Sequence, residues 1–452
     1  MRPREKQNRP LSIDIFSVGL LSGYNRNIWL LIIASALFTG AYLGMRDLLN
    51  ALYVLRLGYG PEFVGTVTGV GALSFALSSL PGGALGGRFG VRRMMIIGVL
   101  INMLGMVFTP LAESIPETIR YYWLLFAQAF AASGWSIFVV NQIPALTGFT
   151  HPRNRQNAFA LKEGAAGLGM FVGALVGGML PGGFAGLLGF TTAQAGPYRH
   201  GLYVAMGLAL MGLVPLALLD PVQRIPRSED SGSAALPPLV PVGLLILCAF
   251  CGNGAVASYK AFASAYMDLE FSLPTSLIGT ITSVGMFLAC LAALSSSRLA
   301  RRRGSGHTMM IASLMLGGNL LLVSLVPHWT AAGLGAIGTL ALSALWRPAY
   351  QVLQMEMAEP EQRSLISGVG AMAMSLGYST VSFGGGYVAA TVGYRRLFLV
   401  GTGLAIASAI VMALLLRRVK KEETEKVVSD DVVGNLPLSH KRKRKMGTSE
   451  PS

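Results

Sequence analysis

Five ionisable residues lie inside or at the edge of long apolar stretches of this chain, Arg46, Asp47, Lys162, Lys260 and Arg347, and all but Lys162 are candidate cavity residues. A charge in such surroundings is costly unless it is paired or used. Arg46 belongs to a stripe of Thr39, Tyr42, Arg46, Asn50 and Tyr53, whose spacings of 3, 4, 4 and 3 place them on one helical face. Asn253, Lys260 and Ser264 form a second stripe, Ser343, Arg347, Tyr350 and Gln354 a third, and Gln128, Trp135 and Gln142, beside Asn141, a fourth. Guanidinium and ammonium groups suit an anionic partner, the amides and Tyr42 supply hydrogen bonds, and Trp135 offers a stacking surface. Asp47 is the one acid well inside an apolar stretch, and it can load and release a proton. Its alternative role is a fixed counter-ion for Arg46. Burial favours the neutral acid and the adjacent guanidinium favours the charged one, so the residues alone leave the choice open. For Arg46 and Lys260 the plainer alternative is snorkelling to an interface, with Asp47, or Asp268 and Glu270, as local partners.

The elements that must carry these stripes follow from composition. Apolar residues make up 52% of the 452 and charged residues 13%, which excludes a disordered chain and sets it apart from ordinary soluble domains. With a mean hydropathy of +0.55, the first reading is an all-α polytopic membrane protein. Twelve apolar helices are expected near 28–55, 62–86, 94–112, 120–146, 158–190, 200–219, 239–266, 275–297, 307–326, 330–355, 364–391 and 394–416. The layout is a cytoplasmic N-terminus (1–27), a six-helix bundle (28–219), a cytoplasmic linker (220–238), a second six-helix bundle (239–416) and a basic disordered tail (417–452). No cleaved leader is expected. The net charge of +15 does not imply nucleic acid, because 27 of the 36 Lys and Arg fall on one side of this layout and 5 on the other. That asymmetry predicts both termini in the cytoplasm and the chain in the cell membrane.

The two halves repeat. A shift of 214 lays Val64-Gly65-Thr66-Val67-Thr68-Gly69-Val70-Gly71 on Ile278-Gly279-Thr280-Ile281-Thr282-Ser283-Val284-Gly285, and Arg46 on Lys260. Later in each half a shift of 208 lays Leu168-Gly169 on Leu376-Gly377 and Gly177-Gly178 on Gly385-Gly386. Parallel six-helix repeats place a shared site near the bilayer midplane, exposed alternately to each side as the halves rock.

Three features of 25–416 resemble the major facilitator superfamily. Gly83-Ala84-Leu85-Gly86-Gly87-Arg88-Phe89-Gly90-Val91-Arg92-Arg93 is similar to the family's loop signature between its second and third helices, with Gly87 in place of the Asp. Ser297–Gly304 is a degenerate second copy. Gly169-x-x-x-Gly173-Ala174-x-x-Gly177-Gly178 is similar to the antiporter signature of the fifth helix, with Ala174 replacing Pro. The resemblance implies twelve helices in two pseudo-symmetric bundles. It implies a cavity lined by the first, fourth, seventh and tenth helices, where the four stripes fall. It also implies a gating loop at Gly83, Arg88, Gly90 and Arg92, whose latch the missing Asp puts in doubt. The paired cations resemble the basic pair of the family's organophosphate antiporters.

The expected function is a secondary transporter, a proton-coupled exporter of a small amphipathic or anionic molecule acting as a monomer. The alternative is an organic-anion or organophosphate uptake carrier or exchanger. A membrane-embedded enzyme or a non-transporting receptor is the reading from another class, and neither a catalytic cluster nor an added soluble domain supports it. The chain is therefore not expected to be an enzyme. No cofactor or metal is expected: Cys248-x-x-Cys251 falls inside an apolar helix without further ligands in spacing, and no phosphate-binding Walker loop occurs.

Overall fold

Backbone groups in lipid must be satisfied within their own segment, so a chain of this composition forms helices and turns wherever glycine or proline permits. The computed structural model describes residues 24–151, 154–221, 239–357 and 363–434. Among these described residues are twelve long helices. They are α1 (Arg26–Arg56), α2 (Pro61–Phe89), α3 (Val91–Phe108), α4 (Glu117–Phe149), α5 (Arg155–Leu188) and α6 (Gly196–Ala217) in the first half. The second half has α7 (Leu239–Lys260, resuming as Ala263–Phe271), α8 (Thr275–Arg303), α9 (Ser305–Leu325), α10 (Trp329–Met357), α11 (Arg363–Val392) and α12 (Tyr394–Gly434). Among the described residues, 11 helices are long and apolar enough to cross a membrane. The remaining long one, α11, is 30 residues long but rich in Gly, Ser and Thr. Gly90 and Gly304, repeat-related, make the turns after α2 and α8 at φ 96° and 85°, a conformation that disfavours any other residue.

Three departures from the expected boundaries matter. Within α1, Gly40–Arg46 forms a π-helical turn. Such a turn adds a residue and changes the helical phase of the positions beyond it. The seventh helix, expected to be continuous over 239–266, breaks at Ala261–Phe262 and then runs to Phe271. The twelfth, expected to end at 416, continues to Gly434, so the segment expected as a disordered tail begins as helix. The segments 1–23, 222–238 and 435–452 lie outside the described residues, and with them most of the linker and the basic run at the end.

Within the first half α1 packs on α5 and α6, and α4 packs on α2 and α3. The second half repeats this plan: α7 packs on α11 and α12, and α10 on α8 and α9. The halves meet along two seams, α5 with α8 and α2 with α11. Each seam includes a glycine-on-glycine contact. A side-chain carbon on Gly178 would stand 2.7 Å from the Gly279 Cα, and one on Gly65 would stand 2.9 Å from the Gly386 Cα. The repeat arithmetic makes these the same contact made twice. Large apolar side chains such as Leu187, Leu80 and Tyr122 point outward, as a lipid-facing surface requires.

Candidate functional site

Between the halves lies a cavity of about 80 Å³. Its walls come from α1, α2 and α4 of one half and α7, α8, α10 and α11 of the other. Repeat-related pairs face it together: Thr68 with Thr282, and Asn50 with Ser264. Gln128, Tyr259, Thr339 and Tyr378 add polar atoms, while Val64, Val67, Met286 and Leu340 supply an apolar floor.

Both repeat-related cations sit at irregularities of their helices. Arg46 closes the π turn of α1, and Lys260 is the last residue before the break in α7. Their environments nevertheless differ. Arg46 is only 2% exposed and is turned toward α4, where its Nη2 donates to Gln128 Oε1 at 2.7 Å. The guanidinium carbon lies 5.2 Å from the Tyr42 ring centre, and Nε is buried without a partner. Arg46 does not line the cavity; the next residue, Asp47, does. Lys260 lines it from the opposite half. Both Asp47 and Lys260 are exposed, and among the described residues no side-chain hydrogen bond or ion pair holds either one. Arg46 and Asp47 are thus adjacent in sequence without forming an ion pair.

The other expected binding residues occupy different places. Tyr42 is buried under Arg46 and against Trp135, which also packs on Phe38 and Phe138. Gln142 is buried in a separate network, donating to Ser35 Oγ at 2.9 Å and accepting from Lys162 Nζ at 3.1 Å, while Lys162 also reaches Glu163 at 2.7 Å. Asn253 donates to the Met374 carbonyl at 2.7 Å. Arg347 is exposed and is not among the residues lining the cavity. Of the eight positions, Asn50 and Lys260 line it directly and Arg46 meets it through Gln128. Sequence reasoning missed Thr68, Thr282, Tyr259 and Tyr378. The identity of Thr68 and Thr282 across the repeat was the available signal.

The glycines of α5 pack closely against α1. Gly169 and Gly173 press against the carbonyls of Ala36 and Gly40, and Gly177 against Met45, so α5 braces the π turn that aims Arg46. Gly377, related to Gly169, presses on the Phe250 carbonyl of α7 in the same way. Replacing Gly173 with Val drives a branched side chain into backbone. Overpacking of this kind costs about 1–3 kcal/mol or more, and the expected result is a lower thermal midpoint of the purified protein, followed by tryptophan fluorescence. A midpoint equal to wild type would show that the helices separate freely. Of the residues expected in a gating loop, Gly83 and Arg88 instead lie within α2, Gly90 alone makes the turn and Arg92 lies in the first turn of α3. Gly83 faces open space, Arg88 lies 5.5 Å from the Phe89 ring centre, and Arg92 donates to the Ala217 carbonyl at 2.5 Å, at the end of α6.

On the face away from the termini the two halves are latched together. Arg56 at the end of α1 makes a bidentate pair with Asp268 of α7, at 2.7 and 2.6 Å, and its Nε donates to the Thr192 carbonyl at 2.9 Å. Its guanidinium lies over the Tyr198 ring at 5.4 Å. The Tyr198 hydroxyl donates to the Thr192 carbonyl at 3.1 Å and meets Thr275 Oγ1 of the other half at 2.9 Å. This latch joins the halves by charge as the glycine seams join them by shape.

Comparison with known proteins agrees with this architecture. A description of the Major Facilitator Superfamily matches the chain in two segments, residues 15–259 and 245–446. The multidrug resistance protein MdtH of Aeromonas hydrophila subsp. hydrophila is 25% identical over 366 residues, covering 79% of this chain and 86% of that protein. Among solved structures, a mutant of the nucleoside transporter NupG superposes with a TM-score of 0.66 at 14% identity, over 86% of this chain and 100% of the other. A bacterial homolog of the human lysosomal transporter Spinster, in an inward-facing and occupied conformation, also reaches 0.66, at 15% identity over 86% and 96%. With a matching family description across nearly its whole length, twelve helices in two repeated bundles and a cavity between them, the chain belongs to the Major Facilitator Superfamily of membrane transporters.

Proposed function

We propose that this transporter is a proton-coupled exporter of small amphipathic molecules, working by alternating access in the cell membrane with both termini cytoplasmic. The carrying observation is Asp47, the only carboxylate lining the central cavity among the described residues. A carboxylate there can hold either a proton or the cationic group of a substrate, and exclusive occupancy of one group by two ligands is what couples their movements in opposite directions. The glycines of α5 and the MdtH relatives, named for multidrug resistance, support export. The excess of Lys and Arg on the side of the termini supports the orientation. In this reading 28–219 and 239–416 are the two rocking bodies, 220–238 joins them, and the chain acts as a monomer. Lys260 in the cavity favours the second reading, an organic-anion carrier or exchanger.

The test is flux in proteoliposomes with an acid lumen, against a panel of lipophilic drugs and organic anions, with protein-free liposomes as blank. Exchange predicts that at least one lipophilic compound accumulates in the acid lumen above the blank and that a protonophore abolishes the excess. Accumulation of organic anions alone, unaffected by the protonophore, would replace this reading with the second one.

A further inference from the structure

The cavity presents one charge of each sign, and each comes from a different half. Asp47 stands on α1 and Lys260 on α7, while the positions related to them by the repeat are Ala261 and the withdrawn Arg46. Had α1 kept regular phase through Gly40–Arg46, two cations would be expected to face each other. The π turn instead aims Arg46 at Gln128 and leaves Asp47 in the cavity. Among the described residues, neither Asp47 nor Lys260 has an ion-pair partner, and they do not pair with each other. Two unneutralised charges of opposite sign line one partly apolar space, and a molecule that displaces water from both must offset the desolvation of each.

We infer that the transported molecule is a zwitterionic amphipath, with its cationic group held by Asp47, its anionic group by Lys260 and its apolar body against Val64, Val67, Met286 and Leu340. This rests on the transport reading above and names its substrate class. A cation without an anionic group leaves Lys260 unpaired and repelled. An anion without a cationic group does the same to Asp47. Thr68, Asn50, Thr282 and Ser264 lie on both walls to hydrogen-bond the two charged ends.

Three fluorescent probes with the same aromatic body separate the terms: Nε-dansyl-lysine carries both charges, dansylcadaverine only the cation, and N-dansyl-6-aminohexanoate only the anion. Binding to the full-length protein in neutral-lipid nanodiscs is measured at pH 7.5 against empty nanodiscs. Nε-dansyl-lysine is expected to bind at least about tenfold more tightly than either singly charged probe. In Asp47→Asn its affinity falls to that of the anionic probe, and in Lys260→Gln to that of the cationic probe. A single monodisperse elution peak establishes that each variant is folded. A singly charged probe binding wild type as tightly as the zwitterion overturns the inference. So does a ranking unchanged in both variants, or the failure of all three probes to bind. Because binding is read without a gradient, these outcomes are independent of whether pH-driven flux is found.

Discussion

Replacing Asp47 with Asn is expected to reduce pH-driven flux to the level seen without a gradient, while the protein still folds and reaches the membrane. The amide nearly matches the carboxylate in shape, so the wall it shares with Leu43, Leu48 and Ala51 is retained. What is lost is the ability to gain and release a proton, and with it the charge that a substrate cation would displace the proton to reach. The neighbouring guanidinium does not substitute, because Arg46 is committed to Gln128 and does not line the cavity. Nor is Arg46 left stranded by the change, since it makes no ion pair with Asp47 in the wild type. The measurement is substrate accumulation in acid-lumen proteoliposomes, paired with exchange of labelled for unlabelled substrate at equal pH. Loss of the first with survival of the second is the signature of a coupling group. Undiminished pH-driven accumulation would remove Asp47 from that role.

The second large effect is expected at the latch. Truncating Asp268 to Ala leaves Arg56 facing an interface built to neutralise it, with only the Thr192 carbonyl and the Tyr198 ring remaining. Breaking a buried pair from one side costs about 3–5 kcal/mol. The Arg56 side chain is 19% exposed and that of Asp268 7%, so about 2–4 kcal/mol is a more reasonable expectation here. That penalty falls only on the conformation in which the halves touch on this face. It shifts the balance toward opening there by at least about 30-fold. Spin labels placed on Thr191 and Ser272, in the loops flanking the latch, report the change as a longer distance distribution by electron paramagnetic resonance. The charge-reversed double variant, Arg56→Asp with Asp268→Arg, is expected to recover part of the short-distance population. An unchanged distribution in Asp268→Ala would assign closure of this face to the glycine seams alone.

Much of this architecture is written in local patterns. Apolar runs bounded by Pro61, Gly90, Pro116, Gly304 and Gly393 mark helix ends, because a missing donor or a left-handed turn acts where it stands. The repeat was also legible: its matching of Gly65 with Gly279 and of Gly178 with Gly386 is the symmetry that relates the two seams. The site was less so. A stripe of Thr39, Tyr42, Arg46 and Asn50 assumes constant helical phase, and the π turn at Gly40–Arg46 changes that phase within the stripe. Asp47 rather than Arg46 therefore lines the cavity. The approach of the turn to α5 needs Gly40 and Gly44 within it and Gly169 and Gly173 more than a hundred residues away, so no local window contains the whole contact. Arg56 counted only as a topological charge on the face opposite the termini. Its partner Asp268 is 212 residues distant, and pairing across two bundles leaves no periodic trace.

The paired seams bear on speed as well as shape. Gly178 on Gly279 and Gly65 on Gly386 are contacts of main chain against main chain. Interlocked leucines would have to withdraw and repack at each stroke, whereas main chain against main chain has no rotamers to reset; beside these contacts the seams carry Phe171 against Phe287 and Phe383 against Gly69. Resistance to reorientation then concentrates in those ring contacts and in the polar contacts that must break, foremost Arg56 with Asp268. The turnover rate is thereby separated from the bulk of the interface, so that a handful of residues can tune how fast the carrier cycles without altering how well its halves fit.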